Sequence, residues 1–155
     1  VSPSEKTILV ATDFGTTAEL VLDRAIAFAQ MMKARIVLLY ACPVAYVTPF
    51  AGTIVPDSKM FAAAESALIS AVARHAKSGV DITCRIEMGD PRSVIDRVAA
   101  EIAAVLIVMG THGRRGVSRL FLGSTAEAIV RSSVVPVLTI RDDHDEAAKR
   151  ASLTT

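Results

Sequence analysis

The sequence predicts an α/β fold: an open, parallel five-stranded sheet with helices on both faces. Three observations carry this. Four runs rich in Ile, Val and Leu are nearly continuous rather than alternating, as in strands covered on both faces. A fifth run alternates apolar and polar residues, as a half-exposed edge strand does. Helical segments separate the runs in the order β-α-β-α-β-α-β-α-β, which favours right-handed crossovers and a parallel sheet.

The elements follow in chain order. Thr7–Thr12 (TILVAT) is the first strand. Thr16–Lys33 reads as a helix that opens on the capping-box spacing Thr16-x-x-Glu19, with Leu22, Ala25, Ile26 and Ala29 as its apolar stripe. Arg35–Ala41 (RIVLLYA) is the second strand. A long connection, Cys42–Asp57, carries Pro43, Pro49, Gly52 and Pro56. Alanine-rich Ser58–Lys77 is the next helix, ending at Ser78-Gly79. The alternating run is Val80–Met88 (VDITCRIEM). Asp90-Pro91 supplies an N-cap and first-turn proline for a helix over Pro91–Ala104. Val105–Gly110 (VLIVMG) is the fourth strand, followed by the connection Thr111–Leu122. Gly123–Ser132 begins on a second capping box, Ser124-x-x-Glu127, and Val134–Ile140 (VVPVLTI) closes the sheet. Arg141–Thr155 reads as a polar tail.

Composition narrows the function classes. The 155 residues are 52% hydrophobic and 21% charged, with a mean hydropathy of +0.44, which excludes a disordered chain. A chain this long buries roughly two-thirds of its surface as one compact domain, so residues 1–155 read as a single domain with a core over about 6–141. The longest apolar run, Ile102–Met109, is far shorter than the roughly 20 residues that span a bilayer. No secretory leader is expected, since the short apolar run after Lys6 ends at Asp13. A net charge of +1 argues against an electrostatic nucleic-acid binder. Cys42 and Cys84 read as small buried residues rather than a disulfide or zinc pair. A cytoplasmic protein is expected.

The informative stretch is Gly110–Thr125, which leaves a buried strand and enters a helix at Gly123-Ser124. Such a junction points backbone N–H groups and a positive dipole end outward, favouring anions and phosphates. Gly110, Gly113 and Gly123 allow close approach of the backbone to a ligand. Arg114, Arg115 and Arg119 lie between them with no acid. The stretch is no Walker loop, because no GxxxxGK[ST] occurs, and no GxGxxG follows the first strand. The plainer reading is that Ser124 and Glu127 cap a helix while the glycines ease a turn.

The spacing Gly110-x2-Gly113-x9-Gly123-Ser124, with VATDFG at Val10–Gly15, MGDP at Met88–Pro91 and SSVVPVLTIR at Ser132–Arg141, resembles the universal stress proteins of the UspA type over roughly Lys6 to Arg141. The resemblance implies the branch that binds ATP, and a Rossmann-like sheet of order 3-2-1-4-5 related to adenine nucleotide α-hydrolases. It implies that Asp13 reaches the ribose end and that backbone near Ala41 contacts adenine. Phosphates then fall to the residues matching Gly113, Gly123, Ser124 and Thr125. Ala11 stands where many relatives have proline, and Gly15 where many have serine.

The resulting site set is Ala11, Thr12 and Asp13 after the first strand, Ala41 after the second, Met109 and Gly110 after the fourth, His112, Gly113 and Arg114 in the loop, and Gly123, Ser124 and Thr125 at the helix start. Met109 reads most simply as core, His112 as a solvated or phosphate-facing side chain, and Asp13 as either a turn cap or a ligand contact. His144, among acids of the tail, resembles a metal site only superficially. ATP or another adenine nucleotide is the expected ligand, with Mg2+ or Mn2+ held mainly by phosphate oxygens and water. No catalytic set is evident: the loop has no lysine, and neither a HIGH-type motif nor an SGGxDS loop occurs. A nucleotide-occupied stress regulator is the leading reading. A slow ATPase or phosphotransferase, and a nucleotide-free dimeric adaptor, are the alternatives. Open sheet edges invite pairing, and the resemblance implies a homodimer through strand 134–140, with Pro136 limiting the ladder.

Overall fold

The computed structural model describes residues 5–43, 58–111 and 122–141. The expected tail, most of the connection after Cys42 and the loop residues 112–121 lie outside them. Five strands form one parallel sheet: β1 (Lys6–Thr12), β2 (Ala34–Cys42), β3 (Ile82–Met88), β4 (Leu106–Gly110) and β5 (Val137–Ile140), in the order β3-β2-β1-β4-β5. Helices α1 (Ala18–Met32), α2 (Ser58–Arg74), α3 (Pro91–Glu101) and α4 (Ser124–Ser132) connect them.

Alternation along the strands divides the core in two. Ile8, Val10, Ile36 and Leu38 face α1 and α2, packing on Leu22, Ala25, Ile26 and Leu68. Leu9, Leu39, Ile107 and Met109 face the other way, against Val94, Val98, Ala126 and Ile129 of α3 and α4. The helical stripe read from α1 is the buried one.

Several local expectations are corrected. Neither capping box forms. Helix α1 starts at Ala18 behind Thr17, with no side-chain cap, because the preceding turn is already closed by Asp13 Oδ1 accepting from the Gly15 amide and by Ala18 N–H donating to Gly15 C=O. Glu19 turns instead to Arg74 and His75 at the end of α2. In α4 the N-cap is Gly123 and again no side chain caps it; Glu127 pairs with Arg131 at 2.9 Å. Only the Asp90 cap stands, accepting from Ser93 N–H at 3.2 Å with Pro91 behind it.

Strand β3 starts at Ile82 rather than Val80, after a 3-10 turn, Ala76–Ser78, stopped by left-handed Gly79. Cys42 is buried but Cys84, on the outermost strand β3, is exposed, although Ile82 and Ile86 on the same face pack against the core. Strand β5 begins at Val137, leaving Val134 99% exposed. Pro136 has no N–H for the ladder, and contributes only its carbonyl, to Ile107 N–H.

Charged side chains fasten each helical layer. Across α1 and α2, Arg74 pairs with Glu19 and His75 with Asp23. On the other face, Arg85 and Glu87 of β3 and Arg97 and Glu101 of α3 form a closed network of four ion pairs at 2.5–3.1 Å.

Candidate functional site

The sheet order reverses between β1 and β4, so the crossovers from these neighbours leave on opposite faces and a crevice opens beyond their carboxyl ends. A cavity of about 390 Å³ lies there, within the range of small-molecule sites. Ala11, Thr12 and Asp13 come from β1 and the turn after it. Leu39 and Ala41 come from β2, and Met109, Gly110 and Thr111 from the end of β4. Helices close the walls: Thr17, Ala18 and Val21 at the start of α1, Pro91 and Ile95 at the start of α3, and Gly123 to Ala126 at the start of α4. Three helices thus begin at one cavity. In α4 no side chain caps the first turn, so its N–H groups and positive dipole end favour an anion there. In α1, by contrast, the Ala18 N–H is spent on Gly15 C=O, and in α3 Pro91 has no N–H and Asp90 caps Ser93.

Local geometry explains how the strand end is held. Phe14 adopts φ 58°, which is costly for a bulky side chain. Thr12 Oγ1 accepts its N–H at 3.1 Å, and its ring packs on Tyr40 with centroids 4.8 Å apart. Asp13 Oδ1 is 2.8 Å from Gly15 N. A Cβ on residue 15 would stand 2.9 Å from that same oxygen, so glycine lets the Asp13 carboxylate lie on the Gly15 amide. Asp13 therefore caps the turn and lines the cavity at once.

At the other wall, the Thr111 N–H donates to Ile140 C=O at 3.0 Å, and Thr111 C=O accepts from Gly123 N–H at 2.7 Å. This bond joins the end of β4 to the start of α4. Because Gly123 is the N-cap, Ser124 falls in the first turn, with its residue on the cavity wall rather than spent as the cap.

Of the twelve residues read from the sequence, the structure brings nine together on this cavity: Ala11, Thr12, Asp13, Ala41, Met109, Gly110, Gly123, Ser124 and Thr125. His112, Gly113 and Arg114 lie outside the described residues. Met109 is core as well as wall, buried beneath the site. Sequence reasoning missed Thr17, Ala18, Val21, Leu39, Pro91, Ile95, Thr111 and Ala126. Pro91 was within reach, since MGDP places a helix start directly after β3. Ile95 and Val21 carried no signal in the sequence reading.

The combination is chemically asymmetric. Ala41, Leu39, Val21 and Ile95 offer apolar surface suited to a flat ring, whereas hydroxyls and helix amides gather at the α1 and α4 starts. Among the described residues, no group of three or more His, Cys, Asp and Glu could hold a metal ion, and no helix is long and apolar enough to cross a membrane.

Fold and cavity together define a doubly wound α/β protein with a cavity at the switch point. The chain belongs to the Universal stress protein family, whose profile matches residues 5–141. A protein of Staphylococcus aureus (strain USA300) named for that family is 34% identical over 147 residues, covering 89% of this chain and 85% of its own. Among solved structures, a universal stress protein in complex with cAMP superposes with a TM-score of 0.67 at 25% identity, covering 90% of this chain and 98% of its own. The universal stress protein from Archaeoglobus fulgidus in complex with dAMP gives 0.66 at 25% identity, covering 87% and 97%.

Proposed function

We propose that this protein binds an adenine nucleotide, ATP or a close relative, in the 390 Å³ cavity and acts as a nucleotide-occupied regulator of the stress response. The observation that supports this most is the convergence of three helix starts on a cavity also lined by the apolar side chains of Val21, Leu39, Ala41 and Ile95. Two solved relatives of the same fold hold cAMP and dAMP. In this reading adenine lies against Ala41 and its neighbours, Asp13 meets the ribose, and Gly123, Ser124 and Thr125 receive phosphate with the loop residues His112, Gly113 and Arg114. Mg2+ or Mn2+ accompanies the phosphates, ligated mainly by their oxygens and by water, with the Asp13 carboxylate the one acidic group on the wall among the described residues. The protein works as a homodimer in the cytoplasm, a second copy pairing along residues 134–140, where exposed Val134 precedes the edge strand β5.

Magnitudes require both halves of the cavity. Micromolar affinity needs roughly 8 kcal/mol. A helix terminus contributes about 0.3–1 kcal/mol per charge and a charged hydrogen bond about 1.5–3, before the entropy and desolvation costs of binding. The phosphate contacts alone fall short once those costs are taken off, and the apolar slot supplies the remainder. Calorimetry with ATP, AMP and cAMP checks the proposal. The expected outcome is a micromolar Kd that Ser124→Ala weakens by about ten- to a hundredfold, the worth of one lost charged hydrogen bond. Absence of binding by the unaltered protein rejects it.

A further inference from the structure

The last turn of α2 and the first turns of α1 meet through His75, whose side chain is 13% exposed. Its Nδ1 is 2.8 Å from the carbonyl oxygen of Ala71, and its Nε2 is 2.9 Å from Asp23 Oδ1. Both partners accept only. A neutral imidazole carries one N–H and can serve one of them; the imidazolium, with two, serves both. Hydrogen-bond accounting alone therefore assigns the proton.

The surrounding charges agree. From α1, Asp23 faces the ring directly and Glu19 Oε2 is 3.8 Å from Nε2. On α2 itself, Arg74 is committed to Glu19. Lys77 lies on the following 3-10 turn. On the strands beneath, Arg35 is bonded to Thr7 Oγ1, while Arg85 and Glu87 are engaged with Arg97 and Glu101 of α3. Partial burial pulls the imidazolium's pKa down, but the Ala71 carbonyl, the Asp23 carboxylate and the charge of Glu19 outweigh it and hold His75 above its ordinary 6.5.

We propose that His75 is a proton-operated fastener between α1 and α2, which holds while the ring bridges Ala71 and Asp23 and lets α2 loosen when the ring loses its proton. The sign follows from the raised value. The stabilisation is complete below about pH 6.5 and is lost as pH rises through the folded-state pKa. The joint is not remote from the cavity. A groove of about 230 Å³ beside it, walled by Leu22, Ala71 and Arg74, shares Thr12 and Ala18 with the larger cavity. Loosening α2 thus removes support from the first turn of α1, which walls the nucleotide site proposed above; the fastener itself stands whether or not that site takes a nucleotide.

The test is an imidazole NMR titration of the ligand-free protein from about pH 5.5 to about pH 9. The chain has three histidines, and His75→Phe identifies the resonance by its loss. His75 is expected to titrate above 6.5, and Asp23→Asn, a change at a surface position, to bring it down. In parallel, amide exchange in residues 58–74, corrected for intrinsic rates, is expected to speed up relative to residues 91–101 as pH passes that value. The gain is up to about tenfold for each pH unit that separates the measured midpoint from the ordinary histidine value. His75→Phe should abolish that pH dependence. Titration at or below 6.5, indifference to Asp23→Asn, or exchange in α2 that ignores the transition overturns the proposal.

Discussion

The two helical layers are held to the molecule by charged clusters of similar size and different temperament. On one face, Arg74 and His75 meet Glu19 and Asp23. On the other, Arg85 and Arg97 meet Glu87 and Glu101. In the second cluster hydrogen bonds from Arg85 and Arg97 hold both carboxyls below their ordinary 4.5, and the guanidiniums remain charged throughout the working range. Its contribution is present above about pH 4.5 and fades only as pH falls through the lowered values. In the first cluster the His75 contacts with Asp23 and Ala71 fade in the opposite direction, as pH rises past His75's raised pKa, while the Arg74–Glu19 pair stays charged. Similar geometry thus produces a fixed joint or a titratable one according to the ordinary pKa of the basic partner.

This contrast can be broken in order of expected effect. The largest loss is expected at the turn into α3. Gly89 has φ +138°, and a Cβ there would stand 3.1 Å from Val94 Cγ2. Gly89→Ala should cost about 2 kcal/mol or more, lowering Tm by roughly 4–8 °C for a domain of this size, at all pH values. A smaller effect is expected from Glu87→Gln, which takes the shared carboxylate out of the arginine network. We expect about 1 kcal/mol after solvent screening, measured by denaturant unfolding at pH 7, and a difference that shrinks as pH falls below about 4.5. The smallest belongs to Arg131→Ala, which removes an ion pair one turn apart on exposed α4. Its Tm change should stay below about 2 °C; a larger one would mean that single pairs, and not networks, stabilise this surface.

How much of this was legible in the chain depends on the range of the interaction. Strands and helices were readable because their apolar runs and stripes are local, and each appears within a few residues of its expected bounds. The order β3-β2-β1-β4-β5 was not contained in periodicity and came from the family resemblance. Both capping boxes were misread because each helix starts one residue away from its expected cap, behind Thr17 and Gly123, and Glu19 and Glu127 pair with Arg74 and Arg131 instead. For Glu19, a spacing of four residues cannot show an arginine 55 residues away. His75 and Asp23, 52 residues apart, left no trace in the pattern either. In the cavity, residues at strand ends and glycine turns were foreseeable from topology. Thr111 was not, because its place depends on bonds to Ile140 and Gly123.

The bond between Thr111 C=O and Gly123 N–H has a consequence for engineering. It pins the departure and return of the intervening stretch to a single doorway, so the sheet and α4 need not register what passes between. Closing a longer excursion across fixed jambs costs only about 0.6 kcal/mol per doubling of its length. Grafts between these two residues should therefore be judged by the guest they admit, with the rest of the house left standing.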